Sequence, residues 1–421
     1  MRIAQIAPLT EAVPPKLYGG TERVVSWLTE SLVSLGHEVT LFASGDSITT
    51  AKLEAVCPRA LRLAGVDNAN ALHMMMIELV ARRVAEFDLI HFHLDYLPFS
   101  LFLRQRTPFL TTLHGRLDLP EYKPLFGVFP SAPVVSVSNA QRLPLPRANW
   151  LGTVHHGLPR NLLTPQGVRP AYLAFLGRAS PEKGLDLAIA IARRCGIPLK
   201  IAAKVDNVDS AYFNKTIRPM LGQDGVEFIG EIGDAEKSNF LSRALGLLMP
   251  IDWPEPFGLV MIEAMACGTP VIAFDRGAAS EVIEDGLTGF IAKDMAAFIH
   301  AVHLLARLPR AVIRRRFEER FVADRMARDY LQLYLKAAAM RSRAAFWRYR
   351  RPPSGKRRFG KKIVQEISPQ PAMRRGEEGG DFKNGHRCGV LSAESQAGQY
   401  KRQDIENAAA NIRGMIDNGK S

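Results

Sequence analysis

The sequence predicts an α/β protein made of two doubly wound parallel sheets, and three observations predict it. Short apolar runs alternate with segments of helical period along most of the chain. The runs are apolar throughout instead of alternating with polar residues, the pattern of strands buried on both faces. The series also starts twice, on either side of HHGLPRNLLTPQGVRP at 155–170, a Pro- and Gly-containing stretch suited to a join between two units.

RIAQIAP is the first strand. The loop PPKLYGG follows, then a helix pattern in TERVVSWLTESLVSLG, where Val24, Val25, Leu28, Leu32 and Leu35 recur at helical spacing and Gly36 closes the run. HEVTLFAS is the second strand. MMMIELVARRVAEF reads as a helix leading into the strand FDLIHFH; FLTTLH and, after a loop, APVVSVS complete the first series. The second series opens with the strand AYLAFLG, the helix LDLAIAIARRCG and the strand LKIAAKV. VEFIG and ALGLLMP are strands, the helix GLVMIEAMACG follows, and TPVIAF and GFIA end the series. RRRFEERFVADRMARDYLQLYLKA at 314–337 reads as one helix, with Phe317, Phe321, Met326, Tyr330, Leu331 and Tyr334 at near-helical spacings.

At 421 residues there is chain enough for two cores. Apolar residues make up 47% and charged residues 23%, the balance of an ordinary globular protein. Cys57, Cys195, Cys267 and Cys388 are far apart and form no CxxC pair, so neither a disulfide framework nor a zinc site is indicated. A reduced, cytoplasmic setting is the expectation. MRIAQIAPLT is too short and too weakly apolar for a signal peptide, and no run approaches the ~18–20 apolar residues of a membrane span. The net charge of +13 suggests a nucleic-acid partner until it is located. Residues 341–421 hold 18 Lys or Arg against 8 Asp or Glu, leaving 37 against 34 in the first 340. The basic character belongs to this tail, whose low periodicity reads as disorder. Its segment RSRAAFWRYRRPPSGKRRFGKK mixes aromatics with arginines, a composition suited to anionic lipid or RNA.

Ligands of doubly wound sheets bind beyond the carboxyl ends of the strands, so the segments there are the ones that can carry chemistry. YGG, Tyr18 to Gly20, ends the loop after the first strand and meets a helix N-terminus. Gly19 and Gly20 let backbone approach a phosphate or sugar closely, although an ordinary turn reads the same way. LGRASPEKG at 176–184 puts Arg178 and Lys183 on a turn after the first strand of the second unit. Ser180 is placed to cap the following helix, with Pro181 at its first position. A guanidinium fork and an ammonium point charge there suit a diphosphate.

EPFGLVMIEAMACGTPVIA at 255–273 is the most informative stretch. Glu255 and Glu263 stand eight positions apart in apolar sequence, and a buried carboxylate without a partner is costly or protonates. Glu255 is expected at the helix mouth beside unpaired backbone amides, with Glu263 about two turns deeper on one face. Vicinal hydroxyls of a sugar and of a ribose would satisfy both carboxylates, with a phosphate between them at the helix N-terminus.

These segments, with GRASPEKG upstream and GAASEVIEDGLTGF downstream, resemble the donor site of the retaining GT-B glycosyltransferases of family 4 (glycosyl transferase group 1), relatives of sucrose-phosphate and glycogen synthases. The resemblance runs over about residues 1–338 in the family's order. It implies two Rossmann-like domains facing across a cleft, an acceptor domain at 1–168 and a nucleotide-sugar donor domain at 169–322. Residues 323–340 would be a helix crossing back to the first domain, and 341–421 a basic, disordered tail outside the family pattern. It further implies that Glu255 holds hydroxyls of the donor sugar, Glu263 the ribose, and Arg178 and Lys183 the diphosphate. Phe257, Gly258 and Leu259 match the segment whose backbone contacts sugar and phosphate. EFIGEIGDAEKSNFL matches the region beside the base, met through main chain near Ile232. His114, in TLHG, matches the histidine near the transferred sugar. The opening PPKLYGGTERVVSWLTESLVSLGHEVTLFASGDS is similar to that of bacterial pteridine glucosyltransferases, which move glucose from UDP-glucose to tetrahydrobiopterin. His156 departs from the pattern, standing where the family has asparagine before Gly157.

The implied activity is transfer of a hexose, glucose from UDP-glucose, to a small-molecule, glycan or pteridine acceptor with retention of configuration. The acceptor would attack on the face from which the nucleoside diphosphate leaves, and the departing phosphate would take its proton, so no protein nucleophile is nominated. His114, Glu255, Arg178 and Lys183 form the catalytic set; Lys16, His93 and Asp95 are the candidates for acceptor contact. His91 and His93 are expected to point to opposite faces of their strand, with His93 the one facing the cleft. No metal and no cofactor beyond the donor is expected, since Arg178, Lys183 and helix dipoles can take the leaving-group charge. The alternative is a nucleotide-sugar-binding protein whose basic tail engages RNA or the anionic inner face of a membrane. The intact donor motifs favour catalysis.

Overall fold

The strands form two all-parallel sheets. The computed structural model describes residues 1–344 apart from positions 17, 18, 67 and 223, with side chains through residue 340. Tyr18 and nearly all of the expected basic tail, on which the RNA- or membrane-binding alternative rests, lie outside the described residues. The first sheet contains β1 (Arg2–Ile6), β2 (Glu38–Ser44), β3 (Lys52–Cys57), β4 (Leu89–Phe92), β5 (Phe109–Thr112), β6 (Val134–Ser136) and β7 (Trp150–Thr153), in the order β3-β2-β1-β4-β5-β6-β7. The second contains β8 (Tyr172–Arg178), β9 (Leu199–Lys204), β10 (Val226–Gly230), β11 (Ala244–Met249), β12 (Val271–Phe274) and β13 (Gly289–Ala292), in the order β10-β9-β8-β11-β12-β13. Each order reverses once, between β1 and β4 and between β8 and β11. A crevice at the carboxyl ends of the strands opens at such a reversal.

The strands of the second sheet are all legible as apolar runs. In the first sheet the edge strands β3 and β7 go unrecognised. β3 buries alternate residues, and β7 is mostly half-buried, so neither shows the continuous apolar run of an interior strand.

The helix expected at 314–337 is two helices, Arg310–Arg320 and Ala323–Ala344. Phe321 and Val322 leave the helix because they pair with another segment. Leu158 N–H donates to the Phe321 carbonyl (3.0 Å), and Ala323 N–H donates to the Leu158 carbonyl (2.9 Å). A Cβ on Gly157 would overlap the Val322 carbonyl, so only glycine admits this approach. The chain crosses between the sheets near 158 and again near 322, and the two crossings are bonded to each other.

The Ala323–Ala344 helix then returns to the first sheet, lying along the Gly20–Ser34 helix and across β5 and β7. Tyr330 and Tyr334 are fully buried there. The Tyr330 hydroxyl bonds with Thr112 (2.9 Å), and the Tyr334 hydroxyl meets His91 Nδ1 (2.9 Å) and accepts from Gln5 Nε2 (3.0 Å). One apolar core runs through both halves, from Ile3 and Leu28 by way of Phe321 and Met326 to Met261 and Leu247.

Candidate active site

The carboxyl ends of the two sheets face each other across a cleft of about 410 Å³. Gly19, Gly20 and His114 line it from the first sheet. Arg178, Lys183, Ile232, Glu255, Phe257, Gly258, Leu259 and Glu263 line it from the second. The whole set of catalytic and donor candidates named from sequence is thereby brought together. Gly20 lies close across the gap from Leu259, whose Cδ1 would stand 3.6 Å from a Cβ at that position.

The helix carrying Glu263 runs from Leu259 to Ala266, and Gly258 starts it with φ 82° and ψ 74°. That left-handed conformation is open to glycine at little cost, and the first-turn residues Leu259 and Val260 line the cleft. First-turn amides have no intrahelical acceptor, and with the helix dipole they favour an anion. Because the helix begins at Leu259, Glu263 sits little more than one turn inside it and not the two turns expected.

Both carboxylates have a lysine partner. Glu255 pairs with Lys183 and accepts from Trp253 Nε1 at 2.8 Å; it faces these groups instead of the helix amides. Glu263, whose side chain is 4% exposed, accepts from Lys237 Nζ at 2.6 Å. Lys237 also approaches Asp234 (3.4 Å), and Asp234 takes both of its short bonds from Arg23 Nη1, at 2.7 and 2.6 Å. This line of charges crosses the cleft, from the first-sheet helix Gly20–Ser34 to the Leu259–Ala266 helix. Each buried charge is compensated in place, which is how the fold admits them. A sugar or ribose entering here would trade hydroxyls for ammonium groups at the same oxygens.

Arg178 pairs with Glu182 and approaches Asp209 (3.4 Å) and Asp206 (3.9 Å). Lys183 lies 4.8 Å above the Trp253 ring, with Arg116 5.7 Å from that ring. Ser180 does not cap a helix as expected. Its hydroxyl is buried without a partner, residues Pro181–Lys183 form one tight turn, and the helix proper starts at Leu185 after Gly184.

Four histidines, His91, His93, His114 and His156, form one cluster beside the cleft. His91 and His93 do not point to opposite faces: residues two apart on a strand share a face, and their rings lie 4.1 Å apart. His91 is fully buried between Tyr334 and Thr112 (2.8 Å) and is structural. His93 bonds to His114 (2.8 Å) and Gln5 (2.9 Å), and so stands behind His114 and outside the cleft lining. His156 stacks on His114 with ring centres 5.4 Å apart and packs edge-on against Phe257 at 4.8 Å. The family departure at 156 therefore lines the cleft and is more than a local change at the turn. Burial holds His91, His93 and His156 well below the usual imidazole range and pushes His114 down to about 3. All four are neutral at physiological pH.

Lys16 and Asp95 also fall outside the cleft lining among the described residues. Lys16 is exposed and pairs with Asp46 at 3.3 Å. Asp95 follows β4 with φ 48°, and burial raises its carboxyl to about 6. Sequence reasoning missed Lys237, Arg23, Trp253 and Gln5. Lys237 and Arg23 look like solvated charges on helix faces, Trp253 looks like a turn residue, and Gln5 is one polar residue inside an apolar strand. A lone buried Gln on a central strand is the one signal that could have been used, since it must find partners. Among the described residues no group of three His, Cys, Asp or Glu side chains is arranged to hold a metal ion.

Residues 18–151 match the family described as Glycosyltransferase Family 4, and residues 165–320 match Glycosyl transferases group 1. A phosphatidyl-myo-inositol mannosyltransferase of Propionibacterium freudenreichii subsp. shermanii is 27% identical over 323 residues, 69% of this chain and 81% of the relative. Among solved structures, AviGT4, a glycosyltransferase involved in avilamycin A biosynthesis, is 26% identical with TM-score 0.64, covering 81% of this chain and 98% of its own. Sucrose-phosphate synthase from Thermosynechococcus elongatus shares the fold at 20% identity and TM-score 0.67, covering 81% and 100%. With both halves matched in chain order and the two-sheet architecture shared, the chain belongs to the group 1 GT-B glycosyltransferases.

Proposed function

We propose that this glycosyltransferase moves a hexose, glucose, from UDP-glucose to a small-molecule, glycan or pteridine acceptor, with retention and without a metal ion. The observation that carries the reading is the pair of lysine-held carboxylates, Glu255 with Lys183 and Glu263 with Lys237, flanking the start of the Leu259–Ala266 helix. The proposed donor lies along that line. Its sugar hydroxyls meet Glu255, its diphosphate takes Lys183, Arg178 and the first-turn amides, and its ribose hydroxyls meet Glu263. Displacement of each lysine from its carboxylate frees a cation for phosphate as the hydroxyls arrive, so binding need leave no charge unpaired.

Catalysis in this reading is positioning plus stabilisation of the leaving diphosphate. Neutral His114 contacts the transferred sugar, and the departing phosphate takes the acceptor proton. The buried thiols of Cys57 and Cys267, each pushed up to about 12 by burial, are inert and suit a reducing, cytoplasmic setting. The experiment is a panel of nucleotide sugars, including UDP-glucose, UDP-galactose and GDP-mannose, assayed for slow hydrolysis and for transfer to reduced pteridines. The reading expects UDP-glucose to turn over fastest, in EDTA as well as without it, with an α-linked product by proton NMR. Preference for GDP-mannose, a β-linked product, or turnover abolished by EDTA and restored by magnesium would each contradict the corresponding part.

A further inference from the structure

A buried line of hydrogen bonds connects the crossing helix to the cleft. Tyr334, on the Ala323–Ala344 helix, accepts from Gln5 Nε2 at 3.0 Å, and its hydroxyl reaches His91 Nδ1 at 2.9 Å. Gln5 Oε1 faces His93 Nε2 at 2.9 Å, and His93 Nδ1 faces His114 Nε2 at 2.8 Å. Both rings are neutral, so each has one N–H and one bare nitrogen. An amide oxygen only accepts. His93 therefore carries its proton on Nε2 and accepts at Nδ1, and His114 must carry its proton on Nε2 to donate to it. This leaves His114 Nδ1 as a lone pair. That nitrogen is buried with no partner in the protein, on a ring that lines the cleft, and an orphaned buried polar atom at a site calls for a ligand group.

We propose that Gln5 and Tyr334 are positioning residues that hold His114 in its Nε2–H tautomer, so that Nδ1 accepts a hydrogen bond from a hydroxyl of the donor hexose. The hexose in this statement rests on the donor reading above; the tautomer is a property of the unliganded chain. In this arrangement the Tyr334 hydroxyl accepts the Gln5 amide N–H and donates to His91 Nδ1, which leaves the amide oxygen facing His93. A reversed amide would reverse every donor along the line and place the proton on His114 Nδ1. A residue 329 positions further along the chain than Gln5 would thus decide the hydrogen-bonding sense of a histidine in the cleft.

The test is long-range nitrogen–proton correlation NMR on the full chain labelled with ¹⁵N-histidine, without ligand, with His114 assigned from the spectrum of His114→Gln. The expected result is a protonated, pyrrole-like Nε2 and a bare, pyridine-like Nδ1 for His114. Tyr334→Phe and Gln5→Leu should each mix the two tautomers and lower kcat on UDP-glucose by about three- to tenfold with little change in KM. Gln5→Glu, which keeps an oxygen toward His93, should retain the tautomer and most of the turnover. A protonated Nδ1 in the unmodified protein would overturn the proposal, as would a His114 tautomer unmoved in both Tyr334→Phe and Gln5→Leu, whatever their activities. Because the spectra need no substrate, failure of UDP-glucose as donor would leave the tautomer result standing.

Discussion

Glu255 and Glu263 answer at residue scale how apolar sequence can hold two carboxylates: each is bonded to an ammonium group that the sequence does not place beside it. The pair of glutamates was legible because charge inside an apolar run is rare. Lys237 was not, because nothing local separates a lysine that folds onto a buried carboxylate from one that points to water. Lys183→Met should lower transfer roughly 10²–10³-fold, the range for loss of one group that stabilises developing charge. It should also lower the melting temperature, since Glu255 is left buried against Trp253 alone. Transfer at the unmodified rate would remove Lys183 from the catalytic set.

Glu22 lies in the first turn of the Gly20–Ser34 helix, and burial raises its carboxyl to about 7. The native state therefore holds its proton more tightly than the unfolded chain. Stability from this group is fully present below about 4.5 and is lost as pH rises through about 7. Glu22→Gln should consequently raise stability at pH 8 by roughly 2–3 kcal/mol while leaving it unchanged near pH 4. Denaturant melts at the two pH values check this, and an equal effect at both would contradict it.

At the scale of elements, interior strands and the amphipathic helices were readable because burial on two faces, or on one stripe, leaves a period in the sequence. β3 and β7 escaped because each buries only part of its residues and shows no continuous apolar run, and the break at Phe321–Val322 escaped because its cause is a partner about 160 positions away, at Leu158. The face shared by His91 and His93 could have been read from strand geometry alone; the expectation of opposite faces misapplied a period of two. Gly157 is the residue on which the crossing depends. Gly157→Ala should destabilise the protein by roughly 1–3 kcal/mol, the usual cost of forcing extra volume into a packed contact. A thermal melt would register it, and an unchanged midpoint would mean that the two crossings can separate freely.

The described residues form two sheets whose strand ends face each other, tied by a doubled crossing and by bonds that span the gap. Glu281 accepts from the backbone amides of Asn139 (2.8 Å) and Ala140 (2.7 Å), and Arg23 holds Asp234 from the other side. Such ties restrict relative motion to a hinge, the kind of closure that excludes water from a reacting centre. The crossing helix belongs to this assembly through Tyr330 and Tyr334. A chain ended after residue 344 should therefore retain transfer, whereas one ended after Leu305 should lose it while keeping every proposed donor ligand. Loss of activity in the 344-residue form, folded and still binding UDP, would make the basic tail part of the enzyme.

In the proposed function the cleft between the sheets is a nucleotide-sugar site whose buried carboxylates are held by lysines until the donor arrives. Calorimetric titration of UDP into the unmodified chain and into Glu263→Ala tests it most directly. Saturable binding of one UDP per chain is expected, weakened in the variant by roughly 1.5–3 kcal/mol, the loss expected for a hydrogen bond to a charged group. UDP affinity unchanged by the substitution, in a variant that remains folded, would contradict it.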